Sequence, residues 1–211
     1  MMMKIYDFAA FPNPARVRIA LHEKGAFDQV EFVNVDVPNG EHRTPEFMAK
    51  TPSAAVPLLE LDCGTYISEC TAITEYIDQH FDGPNLTGTT PKQRAVIHMM
   101  QRRAEQFVMD AAGGYFHHAT AGLGPEIEQY QNADWGNRQK QVAEQGIEYF
   151  DGLLADREFV AGDQFSMADI TLFMGLGFAE FAGIEVPATL ENLSKWRENI
   201  AARPSVVALG G

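Results

Sequence analysis

The segment 82–90, Asp-Gly-Pro-Asn-Leu-Thr-Gly-Thr-Thr, constrains this chain more than any other. Gly, Pro, Asn and Thr dominate it and no hydrophobic period crosses it, so it reads as a linker. On its N-terminal side strand and helix signals alternate; on its C-terminal side every apolar pattern is helical. Layered domains pack one kind of alternation around one core, so a change of character this abrupt marks two domains. The expected division is an α/β domain over 1–82, a linker over 83–90 and an all-α domain over 91–211.

In the first part, Lys4–Asp7 is a short strand candidate and Pro14–Lys24 reads as a helix, with Val17, Ala20 and Leu21 on one face and Gly25 after its end. Val30–Val35 is rich in β-branched residues and reads as a strand. A strand, helix and strand in this order predict a parallel pair. Pro57–Leu61 and Thr65–Ile67 flank Asp62-Cys63-Gly64, a turn signal, and so predict a hairpin. Ala72, Ile73, Tyr76 and Ile77 then repeat at helical spacing. The order βαβ followed by ββα is that of a thioredoxin-like domain.

In the second part, Val96, Met99, Arg103 and Phe107, with Met100 beside them, predict one helical stripe, Val142, Gly146, Phe150 and Leu153 a second, and Leu190, Leu193, Trp196 and Ile200 a third. The segment Asp169–Phe181 is apolar nearly all round, which predicts a buried central helix. Ser166-Met-Ala-Asp169 can start it as a capping box, with Asp in place of the usual Glu or Gln.

A formal net charge of −13 argues against nucleic acid and anionic membrane as partners. No apolar run approaches the length of a membrane span, and the first residues carry no secretory pattern, so a cytoplasmic protein is expected. The two cysteines, Cys63 and Cys70, have no CxxC spacing and suggest no disulfide. Neither adjacent histidine, His117 or His118, has the partners a metal site needs, so no metal is expected.

Four segments carry a resemblance: Pro12-Asn-Pro-Ala-Arg-Val-Arg-Ile-Ala-Leu21, Gly40-Glu-His-Arg-Thr-Pro-Glu-Phe47, Val56-Pro57 with Glu69-Cys-Thr-Ala-Ile73, and Phe165-Ser-Met-Ala-Asp-Ile170. In this order they resemble cytosolic glutathione S-transferases over almost the whole chain. The stretches Tyr115–Pro125 and Tyr130–Gly136 look like a fungal and bacterial subgroup that lacks the usual Ser, Tyr or Cys activating the thiol. The resemblance implies glutathione as co-substrate, conjugation to small hydrophobic electrophiles, a role in detoxification and a homodimer. A disulfide reductase or peroxidase that uses glutathione, or a non-catalytic binding protein, is the alternative.

A thiol of pKa about 8.5 is mostly protonated at neutral pH, and a helix N-terminus favours its anion. The turn Phe8–Ala15 offers no hydroxyl or thiol, and small Ala15 would let a sulfur approach the backbone. Two readings of Asn13 stand: an N-cap ahead of Pro14, which the ranking of Asn among N-caps favours, or an amide donor to the thiolate.

By resemblance, Val56 presents its main chain to glutathione beside a cis Pro57. Glu69 and Cys70 bind the γ-glutamyl end, with Cys70 standing where Ser is usual. His42 contacts the glycine carboxylate; its other reading is an exposed loop histidine. A Lys expected before Val56 is Ala55 here, with Lys50 as a substitute. His117, or its neighbour His118, is implied to hold a water that deprotonates the thiol, the other reading being a hydrogen-bonded histidine between the domains; the hydroxyl that would share this task falls at Gly113, which has none. Phe11, Phe107, Tyr115 and Phe116 are expected to line an acceptor pocket between the domains.

Overall fold

The structure is a computed structural model that describes residues 2–210. It divides into two compact units that meet in sequence at Leu86 and Thr87.

The first unit runs β1 (Lys4–Asp7), α1 (Pro12–Glu23), β2 (Glu31–Asn34), α2 (Pro45–Met48), β3 (Leu58–Glu60), β4 (Tyr66–Ile67) and α3 (Cys70–His80). Short 3₁₀ turns lie at Phe27–Gln29 and Glu41–Arg43. The sheet order is β2-β1-β3-β4, with β1 parallel to β2 and antiparallel to β3. The crossover through α1 makes the first pair parallel, and the tight Asp62–Gly64 turn makes β3 and β4 antiparallel. The core of this unit joins Ile5, Val17, Leu21, Leu59, Ile73 and Ile77, so α1 and α3 lay their apolar stripes on the sheet. Each such buried side chain contributes roughly 1.5–3 kcal/mol.

Part of the expected linker belongs to this unit. Lys24, the last α1 residue's neighbour, is buried; its ammonium donates to the Asp78 carboxylate at 3.0 Å and to the Pro84 carbonyl at 3.0 Å. Asp78 also accepts from the Leu86 N–H at 2.9 Å and from the Asn85 amide at 3.1 Å. A polar segment is thus tied down by one buried ion pair, and Leu86 is fully buried behind it.

The second unit begins with α4 (Pro91–Ala104), capped by Thr90 and Gln93. A π turn (Glu105–Met109) leads without a break into α5 (Asp110–Ala119). Then follow α6 (Ala133–Leu154), α7 (Met167–Phe181), α8 (Glu191–Ala201) and α9 (Pro204–Val207). At the π turn α6 comes so near that a Cβ on Gly146 would lie 2.3 Å from the Phe107 carbonyl oxygen. Only glycine allows that approach.

Helix α7 starts with the expected capping box: Asp169 accepts from the Ser166 N–H at 3.0 Å, and Ser166 Oγ accepts from the Ala168 N–H at 3.3 Å. The same carboxylate also accepts from the Val160 N–H at 2.8 Å and from Trp196 Nε1 at 3.1 Å. It therefore joins three segments, and its burial pushes its pKa from 3.8 to about 6.

Three expectations are corrected. Met99 is 45% exposed; the buried side of α4 and its continuation carries Met100, named beside the expected stripe, together with Ala104 and Val108. On α6 the expected Gly146 and Phe150 are buried, but Ala143, Ile147 and Leu154 complete the buried face while Val142 and Leu153 are half-buried. In both helices small residues set the face, because close packing rewards fit as well as size. Phe181, at the end of α7, is 75% exposed and lies outside the buried part of that helix.

Candidate functional site

In the first unit three segments converge. The register pairs Tyr6 with Leu58, which sets the start of β3 beside the end of β1, just ahead of α1. The bond before β3, Val56–Pro57, is cis. The Cys70 thiol, at the opening of α3, donates to the Asn13 carbonyl at 3.4 Å. The first turn of α1, the Val56–Pro57 bond and the first turn of α3 are therefore fastened at one end of the sheet. Glu69, the residue before α3, holds φ at +69°, a left-handed value that costs a non-glycine residue about 1–3 kcal/mol and recurs at functional sites.

The helix opening differs from the sequence reading. The N-cap of α1 is Phe11, not Asn13, and no side chain caps it. Pro12 takes the first helical position, since its fixed φ suits that place and its missing N–H costs nothing there. Asn13 therefore sits one turn position inside, where its side-chain oxygen accepts from Arg16 Nη1 at 3.0 Å. A guanidinium has no acceptor, so this contact fixes the amide orientation and leaves Nδ2 as the donor end. Arg16 is buried, and nothing in the helical pattern of Pro12–Leu21 marked it as the residue that would orient Asn13.

The main chain of this turn offers few donors. Pro12 and Pro14 have no N–H. The Phe11 N–H donates to the Phe8 carbonyl at 2.9 Å, and the Ala15 N–H to the Phe11 carbonyl at 3.1 Å. The Asn13 N–H remains as the amide of the first three helical positions that points out of the helix start. Ala15 is buried, and Phe11 stands half-buried with its ring edge-on to Phe8 at 4.7 Å. The nearby phenol is committed elsewhere: Tyr6 donates to the Glu60 carboxylate at 2.6 Å, and burial together with that carboxylate pushes its pKa up to about 12.

His42 is not the exposed loop residue of the alternative reading. It is 7% exposed, and its Nδ1 is buried without a hydrogen-bond partner. The 3₁₀ turn that carries it runs into α2, whose Phe47 packs edge-on against Tyr6. Burial, with a smaller push from Arg43, lowers the His42 pKa below 6.5 and keeps the ring neutral. Lys50 lies over the Tyr6 ring at 4.1 Å, while Ala55 is exposed.

In the second unit His117 Nδ1 lies 2.7 Å from Glu128 Oε1. Its neighbour His118 accepts from the Asn132 N–H at 3.2 Å and stacks on Trp135, so the two histidines have separate partners. The expected acceptor residues also separate. Phe107 meets Tyr149 at 5.8 Å, and Tyr115 lies under Lys140 at 5.3 Å, both toward α6. Phe116 instead packs against Phe178 at 5.5 Å and Phe181 at 5.7 Å, on α7, and touches the His117 ring at 4.9 Å. Gly113 faces this group: a Cβ there would meet the Phe178 ring at 3.4 Å. Glu128, Phe178 and Phe181 were not singled out from sequence. The first lies in an aperiodic loop, and the other two read as core.

Among the described residues no group of three or more His, Cys, Asp or Glu is gathered as a metal would need, and no helix is long and apolar enough to cross a membrane.

A mixed four-stranded sheet flanked by α1 and α3, followed by an all-helical unit, defines a protein of the thioredoxin-like class with a helical extension. Two family descriptions match, "Glutathione S-transferase, N-terminal domain" over residues 12–80 and "Glutathione S-transferase, C-terminal domain" over 115–204. The chain is 55% identical to "Glutathione S-transferase 2" of Saccharomyces cerevisiae over 207 residues, covering 98% of this chain and 89% of that protein. It is 60% identical to a crystal structure of a glutathione S-transferase domain-containing protein from Marinobacter aquaeolei, with a TM-score of 0.95 over 96% of this chain and 99% of that one. It is also 30% identical to "Maleylacetoacetate isomerase" of Pseudomonas aeruginosa over 88% of this chain and 85% of that protein. The chain belongs to the glutathione S-transferase family and is a glutathione transferase, with glutathione as its co-substrate.

Proposed function

We propose that this transferase keeps the glutathione sulfur ionised with the amide groups of Asn13, and that no side-chain hydroxyl takes part. The observation that carries this reading is the opening of α1, where the Asn13 N–H and the oriented Asn13 side chain are the donors on offer and Tyr6 is bound to Glu60. Anionic sulfur gains from such donors and from the helix N-terminus together. Ala15 keeps the approach open. The Val56 main chain, beside cis Pro57, pairs with the cysteinyl backbone. The γ-glutamyl end lies on the Glu69 carboxylate and the Cys70 N–H, a position the strained Glu69 backbone supports. His42, held neutral by burial, donates to the glycine carboxylate.

A base role for His117 of the helical unit, whose ring is paired with Glu128, belongs to the same proposal. The acceptor is a small apolar electrophile; in the helical unit Phe116 is its candidate contact, and the exposed Phe181 and half-buried Phe178 extend that aromatic face. A detoxification role, a cytoplasmic location and a homodimer follow from the family and belong to the same proposal.

The test is conjugation of an activated aryl halide by wild type and Asn13→Ala. Loss of a donor to a charged group is worth about 1.5–3 kcal/mol, so kcat/KM should fall about tenfold or more with the circular dichroism unchanged. An unchanged kcat/KM contradicts the role of the side chain. A second reading, reduction of glutathione mixed disulfides, is favoured by the free donor end of Asn13; turnover of such a disulfide without aryl conjugation would select it.

A further inference from the structure

Asn13 stands where its neighbours argue against a helix. The residue before a proline is biased away from the helical region, and Asn13 lies between Pro12 and Pro14, yet α1 includes it. Two contacts from outside the main-chain ladder hold it there, and both end on its oxygens. Arg16 Nη1 donates to Asn13 Oδ1 at 3.0 Å. The Cys70 thiol, from the opening of α3, donates to the Asn13 carbonyl at 3.4 Å. Arg16 and Cys70 are 5% and 7% exposed, whereas Asn13 is half-buried. The residue is thus held by its acceptors from the buried side. Its donors, the main-chain N–H and the Nδ2 amide protons, are left for the open side. A face that only donates favours an anion. The nearby Arg18 has a different task. It binds the Asp7 carboxylate, at the end of β1, at 2.6 and 3.1 Å and lies 4.0 Å over the Phe32 ring. Arg18 ties α1 to the sheet, while Arg16 Nη1 reaches back three residues along its own helix to turn an amide.

We infer that Arg16 is a positioning residue for the sulfur site and acts on the thiolate only through Asn13. It keeps Oδ1 inward and Nδ2 outward, and by drawing charge from Oδ1 it makes the Nδ2 protons stronger donors. The last torsion of an asparagine is broad and roughly two-fold, so an amide without this contact also turns its oxygen outward. An outward lone pair repels an anion. The inference rests on the proposal that Asn13 donates to the glutathione sulfur. It assigns the anion preference of that donor to a buried residue standing behind it. Every group involved belongs to the first unit.

The experiment is a double-mutant cycle on the full chain, read by ultraviolet titration of the bound glutathione thiol. Arg16→Met keeps the buried stem and removes the donors; Arg16→Lys keeps a cationic donor without the fork. Asn13→Ala should raise the bound thiol pKa by about 1 or more. Arg16→Met should raise it by about half as much beside Asn13, and not at all in the Asn13→Ala background. Arg16→Lys should fall between wild type and Arg16→Met, and it carries the same cycle if Arg16→Met does not fold. Arg18→Lys is the structural comparator: it should lower the denaturation midpoint and leave the thiol pKa in place. An equal rise from Arg16→Met in both backgrounds means that its charge reaches the sulfur through space, which overturns the inference. An unmoved pKa in folded Arg16→Met, with Asn13→Ala still raising it, overturns it as well. An unmoved pKa in Asn13→Ala instead removes the donor role beneath, and the inference falls with it.

Discussion

In the first unit the groups gathered at the candidate site are mostly main chain: the Asn13 N–H, the cis Val56–Pro57 bond and the left-handed Glu69 ahead of α3. In the helical unit the candidate residues are side chains held by other side chains, with His117 paired to Glu128 and Phe116 packed on Phe178 and Phe181. Backbone sites are set by where elements start, so they tolerate change in side chains and fail when the element shifts. Side-chain sites depend on a supporting layer, and they fail one contact at a time.

That contrast can be broken hardest at the two buried carboxylates. Asp169→Ala leaves the Val160, Ser166 and Trp196 donors unpaired and should destabilise the helical unit by about 3–5 kcal/mol in chemical denaturation. Truncating Asp78 should cost the first unit a similar ~3–5 kcal/mol, because the Lys24 ammonium stays buried. A much smaller loss at either would mean that its unit is not held as described. Asp169 also predicts a pH effect. Its folded pKa, about 6, lies above its ordinary 3.8, so the folded chain keeps a proton that the unfolded chain releases. Its stabilisation is complete below the lower value and is lost as pH rises through the higher one. The margin of wild type over Asp169→Asn should therefore shrink from pH 4 to pH 6, within about that window.

Gly146→Ala comes next. A methyl group meeting the Phe107 carbonyl forces α6 off the π turn and should cost about 1–3 kcal/mol, whereas alanine at Gly152, where nothing stands within 4 Å, should be neutral or slightly stabilising. His42 is smaller and sharper. Binding a carboxylate raises the pKa that burial has lowered, so binding of S-hexylglutathione, which has no thiol proton, should take up protons on the acid side of neutrality. Calorimetry in buffers of different ionisation enthalpy reads this; His42→Asn should abolish the uptake and weaken binding about tenfold. The smallest effect is expected from Tyr6→Phe. A phenol bound to Glu60, with its pKa near 12, contributes nothing to sulfur ionisation, so the pKa of bound glutathione should not move.

The difference between the units also explains what the sequence revealed. The βαβ and ββα halves, the Ser166 box and the Val56–Pro57 bond were readable because each depends on local pattern or on motifs in order along the chain. Asn13 was misplaced as a cap because two prolines compete for the first helical position, and only the backbone shows that Pro12 takes it. The faces of α4 and α6 were read only in part, with Gly146 and Phe150 placed and Met99 and Val142 misplaced, because apolar periodicity weighs large residues and passes over Ala104 and Ala143. Glu128 was invisible because a pairing between residues 11 apart, one of them in an aperiodic loop, leaves no period in the sequence.

The central claim is that amide groups at the start of α1 hold the sulfur as an anion without a hydroxyl. The direct measurement is the ultraviolet thiolate absorbance of the glutathione complex followed through pH. The expected result is a bound thiol pKa well below the free value of about 8.5, raised again in Asn13→Ala and unmoved in Tyr6→Phe. A bound thiol that titrates with the free tripeptide, or one whose shift disappears in Tyr6→Phe, contradicts the account.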